Sequence, residues 1–191
     1  MRQLLLVVGS LWLVACSNTS PPSNQEDLCA IFRQKSGWLE AAQDMTDRWG
    51  TPLQVPMAMM YQESSFRHDA KPPMRYFLFI PIGRPSTAFG YAQVKDETWD
   101  DYTKEAGRWF ASRDNFADAI DFMGWYTAKT QKVNGISKWD AYNQYLNYHE
   151  GWGGFQRGTY RSKAWLMKTA RKVDERARRY GAQYRQCKDD L

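Results

Sequence analysis

Apolar side chains recur along most of this chain at the 3.6-residue period of helices with one buried face. Ile31, Phe32, Leu39, Ala42, Met45 and Trp49 follow that spacing and are closed by Gly50. A second segment opens at Pro56, a favoured first helical residue, and runs through Met57-Ala58-Met59-Met60-Tyr61-Gln62-Glu63. It has almost no polar face, so it must be buried, and Glu63 at its end is conspicuous. Further helices are predicted over Asp96–Ala106, Asn115–Val133 and Trp139–Tyr148, the last after a capping Ser137. A final one runs from near Tyr160 to about Tyr184, with Ala164, Met167, Ala170, Val173, Ala177 and Tyr180 on one face. Lys71–Ala88 breaks the pattern. There Tyr76-Phe77-Leu78-Phe79-Ile80 lies among Pro72, Pro73, Pro81 and Pro85, which suits a strand, hairpin or lip. The expected fold is mainly α, with a small β-hairpin or extended insert, in a single body over residues 28–191.

The start of the chain reads as an address. Arg2 precedes a mainly apolar run from Leu4 to Val14, too short to span a bilayer. Leu13-Val14-Ala15-Cys16 resembles the lipobox of bacterial lipoproteins. The resemblance implies a signal peptide over residues 1–15, cleavage before Cys16 and a lipid on its sulfur. Ser17 after the Cys implies the periplasmic side of the outer membrane. Residues 17–25 carry no apolar side chain to bury, so 16–27 is expected to be a lipidated flexible tether. Cys29 and Cys187 remain at opposite ends of the body. In an oxidising compartment an even pair usually bridges, the alternative being two separate thiols.

Composition narrows the chemistry. The 191 residues carry 26 Lys+Arg against 21 Asp+Glu, net +5, with 43% hydrophobic residues, so a disordered chain is excluded. Two His and three Cys do not make a four-ligand zinc site at the usual spacings. Neither GxGxxG nor GxxxxGK[ST] occurs, so nucleotide chemistry is not expected. No cofactor or metal is predicted. The 9 Trp, 11 Tyr and 9 Phe suit a ligand built of stacked sugar rings. Trp99, Trp109, Trp125, Trp139, Trp152 and Trp165 sit at helical spacings as core anchors, with Trp152, in a Gly-rich run, as the candidate for lining a groove. The last helix is rich in Lys and Arg, which fits a solvated face or attraction to an anionic wall.

Glu63 is the candidate acid, because burial raises a carboxyl pKa towards the range a general acid needs. Two later motifs follow it: Gly90-Tyr91-Ala92-Gln93, and Asn147-Tyr148-His149-Glu150-Gly151. Taken in order, Glu63-Ser64, G-x-x-Q and a Tyr-containing turn ending in Gly resemble the catalytic domain of soluble lytic transglycosylases, related to goose-type lysozyme. The resemblance covers about Leu53 to Tyr160. It departs from the family pattern in the Lys71–Ala88 insert, in Tyr91-Ala92 and at His149.

The resemblance implies that Glu63 is the catalytic acid and base and that the Tyr148 phenol holds its carboxyl. Ser64, Gly90, Tyr91, Gln93, His149 and Trp152 would contact substrate. It also implies cleavage between MurNAc and GlcNAc in peptidoglycan with 1,6-anhydro ends and one carboxyl group. A lysozyme-like hydrolase would need a second carboxylate, for which Glu150 and Asp96 are the candidates. A non-catalytic wall-binding lipoprotein is a third possibility. The expected partners are glycan strands and, through the N-terminal lipid, a membrane, with no nucleic acid and a monomeric chain.

Overall fold

Asp27 opens the first helix by accepting hydrogen bonds from the Cys29 and Ala30 amides, so α1 spans Leu28–Gln34. The computed structural model describes residues 19–191; the expected signal peptide (1–15) and Cys16 lie outside the described residues. The apolar period from Ile31 to Trp49, expected as one segment, is two helices: Gly37 interrupts it and α2 spans Trp38–Trp49. Then follow α3 (Gln54–Ser64), a ribbon of β1 (Arg75–Phe77) and β2 (Ile80–Gly83), α4 (Asp96–Ala106), α5 (Phe116–Asn134) and α6 (Ala141–Gln156). A 3₁₀ turn (Thr159–Ser162) leads into α7 (Ala164–Cys187). Ser137 does not cap α6. Asp140 does, accepting from the Asn143 amide at 3.0 Å, and the helix continues past Tyr148 through a kink at Gly151.

The fold is mainly helical and lysozyme-like, with α3 at its centre. Val55, Pro56, Met57, Ala58, Met59 and Met60 are all buried, as an almost wholly apolar helix requires. α3 packs on α7, α5 and α6, while α2 lies along α5. Trp38 stacks on Phe116 at 3.8 Å and meets the Tyr91 ring edge-on, tying α2 to the turn at residues 90–93.

Cys29 and Cys187 are joined, closing 158 residues of sequence. The described end of the expected tether is docked on the body. Pro22 is buried, Lys35 Nζ donates to the Ser20 carbonyl, and Tyr180 donates to the Gln25 carbonyl. Glu26 pairs with Arg176 and Arg179 at 2.7 and 2.6 Å. Polar composition hid this, because the contacts are made by backbone carbonyls and one carboxylate. The tryptophan expectation divides. Trp99 and Trp125 are buried, whereas Trp109, Trp139 and Trp165 are 68%, 69% and 57% exposed. Helical spacing places a residue on a face but does not say whether another element covers that face.

Candidate active site

Glu63 occupies the last turn of α3, where the buried helix reaches a groove of about 400 Å³. The chain leaves the helix abruptly. Ser65 and Phe66 both take left-handed backbone angles (φ 52° and 58°), and the Phe66 ring is fully buried and fixes the bend. Such conformations cost about 1 kcal/mol or more in non-glycine residues and cluster at functional sites. Gln93 has a third (φ 50°), across the groove.

The groove is walled by two further segments. One is the stretch after the ribbon, contributing Gln93, Val94, Lys95 and Thr98; the other is the last turn of α6 before its kink, contributing Tyr148, His149, Glu150 and Gly151. Gly151 takes φ 72°, ψ 161°, a region essentially reserved for glycine, and so lets α6 bend at the groove. None of the ribbon residues 75–83 is among the groove's walls. The expectation of a lip therefore shifts to the segment that follows it.

The turn at 90–93 is held from three sides. Ser64 Oγ donates to the Tyr91 carbonyl at 2.7 Å, and Tyr148 donates to the Ala92 carbonyl. The Gln93 side-chain amide donates to the carbonyls of Ala70 and Gly90 at 2.8 and 2.9 Å. Both hydrogens of that amide are thereby used, and its carbonyl oxygen is the group Gln93 can offer the groove. A Cβ at Gly90 would fall 2.1 Å from the Arg113 carbonyl, so glycine is required there by the neighbouring backbone.

These contacts correct several expected roles. Ser64 and Tyr91 are buried, one bonded inward and the other packed on Trp38 and Phe116, and neither lines the groove. Gly90 serves the turn. Trp152 stacks on Tyr126 at 4.7 Å and donates to Thr130, in the aromatic layer between α5 and α6 and away from the groove wall. Gln93, Tyr148 and His149 do meet Glu63 there.

Tyr148 gives its single phenolic hydrogen to Ala92, so it does not hold Glu63 as expected. The phenol close enough to the Glu63 carboxyl to lower its pKa through hydrogen bonding is that of Tyr145. The sequence signal was present: Tyr145 lies three residues before Tyr148 on the same helix, so the two share a face. Burial raises the pKa of both phenols, and the nearby Glu63 charge adds to this, so both stay neutral donors.

Two carboxyl groups of the groove sit in opposite environments. Burial pushes Glu63 up to about 7, against the lowering effect of the Tyr145 hydrogen bond. Burial would also raise Glu150, but hydrogen bonds from Lys163, Thr159 and His149 outweigh it and hold that carboxyl down at about 2. Lys163 and His149 approach one oxygen at 2.7 and 2.9 Å, and the Thr159 hydroxyl takes the other. Asp96 is not on the groove wall and pairs with Arg113 at 2.7 Å. Trp165, expected as a core anchor, instead stands edge-on to His149 at 5.1 Å with its ring more than half exposed.

A lysozyme-like helical body with a half-buried Glu at the end of its central helix, its carboxyl pushed up to about 7, defines the class. Compared with known families, the chain matches the transglycosylase SLT domain over residues 4–187, and it belongs to that family of peptidoglycan lytic transglycosylases. No curated protein and no solved structure gives a significant match.

Proposed function

We propose that this protein cleaves the β-1,4 bond between MurNAc and GlcNAc in peptidoglycan, with Glu63 as the sole acid and base, and releases 1,6-anhydro-MurNAc ends. One contrast carries the reading. The groove holds one carboxyl that is about half protonated near neutral pH, and a second already committed to three partners. A base with a pKa near 2 is too weak to activate water efficiently, so the two-carboxylate hydrolase has no suitable second member here.

In the first step Glu63 gives its proton to the glycosidic oxygen as the C1–O bond breaks. The N-acetyl carbonyl oxygen of the same MurNAc bonds to C1 in its place. In the second step the Glu63 carboxylate takes the proton of the C6 hydroxyl, O6 bonds to C1, and the acetamido oxygen leaves. The acid is regenerated and no water is consumed. Ring closure draws on effective molarities of about 10⁵ M or more. Tyr145 favours the anionic form that the second step needs, and Tyr148 is a positioning residue that keeps the 90–93 turn against α6. Gln93 accepts a hydrogen bond from a sugar N–H or O–H. His149 and the exposed Trp165 ring extend the wall for sugar stacking. The leader pattern supports placement by a lipid on Cys16 at the periplasmic side of the outer membrane.

The test is Glu63→Gln on purified sacculi, with products read by mass spectrometry. The substitution keeps shape and removes the proton, so glycan release should fall at least about a thousandfold while the melting transition persists. Wild-type products should carry anhydro ends. Reducing MurNAc ends would replace the proposal with hydrolysis, and undiminished release by the variant would remove Glu63 from the chemistry.

A further inference from the structure

Between Ala70 and Asp96 the chain has no acidic residue, and its charged side chains are Lys71, Arg75, Arg84 and Lys95. The ribbon rising from this stretch is apolar on both faces and covered on neither. Tyr76, Phe77, Ile80 and Ile82 are 61–67% exposed, Leu78 is 78% exposed and Phe79 is 96% exposed. Contiguous apolar surface of this kind on a soluble body marks an interaction site. The tip makes the same point by its turn chemistry. Leu78 takes φ 55°, where Asn or Gly is the favoured hairpin residue, and its side chain meets no covering element.

The charges and the apolar run are segregated along the ribbon. Arg75 lies opposite Gly83 across the strands, with Arg84 next in line, so these cations share the base while Leu78 and Phe79 form the tip. At about 3.3 Å per residue the tip stands about 10 Å beyond Arg75. That matches the depth of about 5–10 Å at which an apolar face sits below the headgroups of a bilayer. Sugar recognition fits less well, because a sugar site needs converging polar groups and among these six side chains only Tyr76 has one.

We propose that the 75–83 ribbon is a membrane-inserting element: Leu78 and Phe79 enter the acyl boundary of an anionic bilayer, and Arg75, Arg84 and Lys71 stay at its headgroups. It stands apart from the chemistry at Glu63 and holds whether or not that reading does. Because the ribbon leads into the turn that carries Gln93, insertion would fix the groove close to the lipid surface.

The test uses the full chain with Cys16→Ser and Phe79→Cys, which leaves Cys29 and Cys187 joined and one thiol for a nitroxide. On vesicles of phosphatidylcholine with one-quarter phosphatidylglycerol, the label should collide more with oxygen than with a water-soluble nickel chelate. A control label at the exposed Asp189 (Asp189→Cys, with Phe79 retained) should behave as in water. The readout is local to position 79, whatever else of the chain meets the vesicle. Arg75→Gln with Arg84→Gln should reduce the inserted fraction roughly tenfold or more, since each cation near an anionic surface contributes about fivefold. A label that stays in water on vesicle-bound chain overturns the proposal. So does spin–spin broadening without lipid, which would assign the patch to a second copy of the chain, and so does equal insertion into pure phosphatidylcholine.

Discussion

Glu63 and Glu150 face one groove from two helices, yet one is poised to give up a proton near pH 7 and the other is locked as an anion. The difference lies in their partners. Glu63 ends an apolar helix and meets one neutral phenol, so burial dominates. Glu150 sits where α6, the 3₁₀ turn and the start of α7 converge, and receives Lys163, Thr159 and His149. Within the same groove, burial without a cation makes an acid, and burial with one makes a structural anchor.

The largest separation should appear in activity. Against the thousandfold or greater loss for Glu63→Gln, Glu150→Gln should lower glycan release no more than about tenfold, because the amide oxygen still accepts from Lys163 and its NH2 can donate to the Thr159 hydroxyl, which is also bonded to the Gly154 carbonyl. Equal losses in initial-rate assays on sacculi would erase the distinction and restore Glu150 as a catalytic carboxylate. Stability should separate the two in the other direction. Lys163→Met leaves the Glu150 carboxylate, whose side chain is only 3% exposed, without its cation. Removing one member of a buried pair costs about 3–5 kcal/mol. The partial exposure of Lys163 reduces the expected loss to about 1–3 kcal/mol by denaturant unfolding. Adding Glu150→Gln to that variant should recover part of the loss.

Much of this was legible before any coordinates. The bounds of α4, the buried character of α3 and the hairpin among prolines all follow from local rules: a 3.6-residue period, an all-apolar helix, proline as punctuation. So did the place of Glu63, because an acid at the end of such a helix must meet either a partner or a cavity. What escaped was set by tertiary neighbours. Nothing local says that Ser64 turns inward to the Tyr91 carbonyl, or that the Tyr148 hydrogen is taken by Ala92 and that of Tyr145 reaches Glu63. The exposure of Trp109, Trp139 and Trp165, and the docking of Gln25 and Glu26 on α7, likewise depend on which faces other elements cover.

A smaller effect tests the burial of Glu63 without any substrate. Its folded-state pKa of about 7 lies above its ordinary 4.5, so the folded chain binds more protons than the unfolded one between those values. Stability from this group is therefore present below about pH 4.5 and is lost as pH rises through 7. The full shift sets a ceiling of about 3 kcal/mol, which the half-buried position brings down to about 1–2 kcal/mol. Glu63→Gln should accordingly be more stable than wild type at pH 8 and lose that advantage towards pH 4.5. A difference independent of pH would show that the carboxyl is not held protonated by its surroundings.

The finest test concerns Tyr145, whose phenol lowers the Glu63 pKa against the raising effect of burial. Tyr145→Phe removes the hydroxyl and keeps the ring, so packing should change little and the melting temperature should move by only a few degrees. The Glu63 pKa should rise further, because its anion loses a donor. The protonated form then persists to higher pH, and the alkaline limb of kcat/KM for glycan cleavage should move upward. The second step loses a donor that favours the carboxylate, so kcat at the optimum should fall severalfold while KM stays nearly constant. A merely structural Tyr145 would leave the limb in place. Tyr148→Phe is the matched control: its hydroxyl is bonded to Ala92, so it should loosen the turn and alter KM without moving the limb.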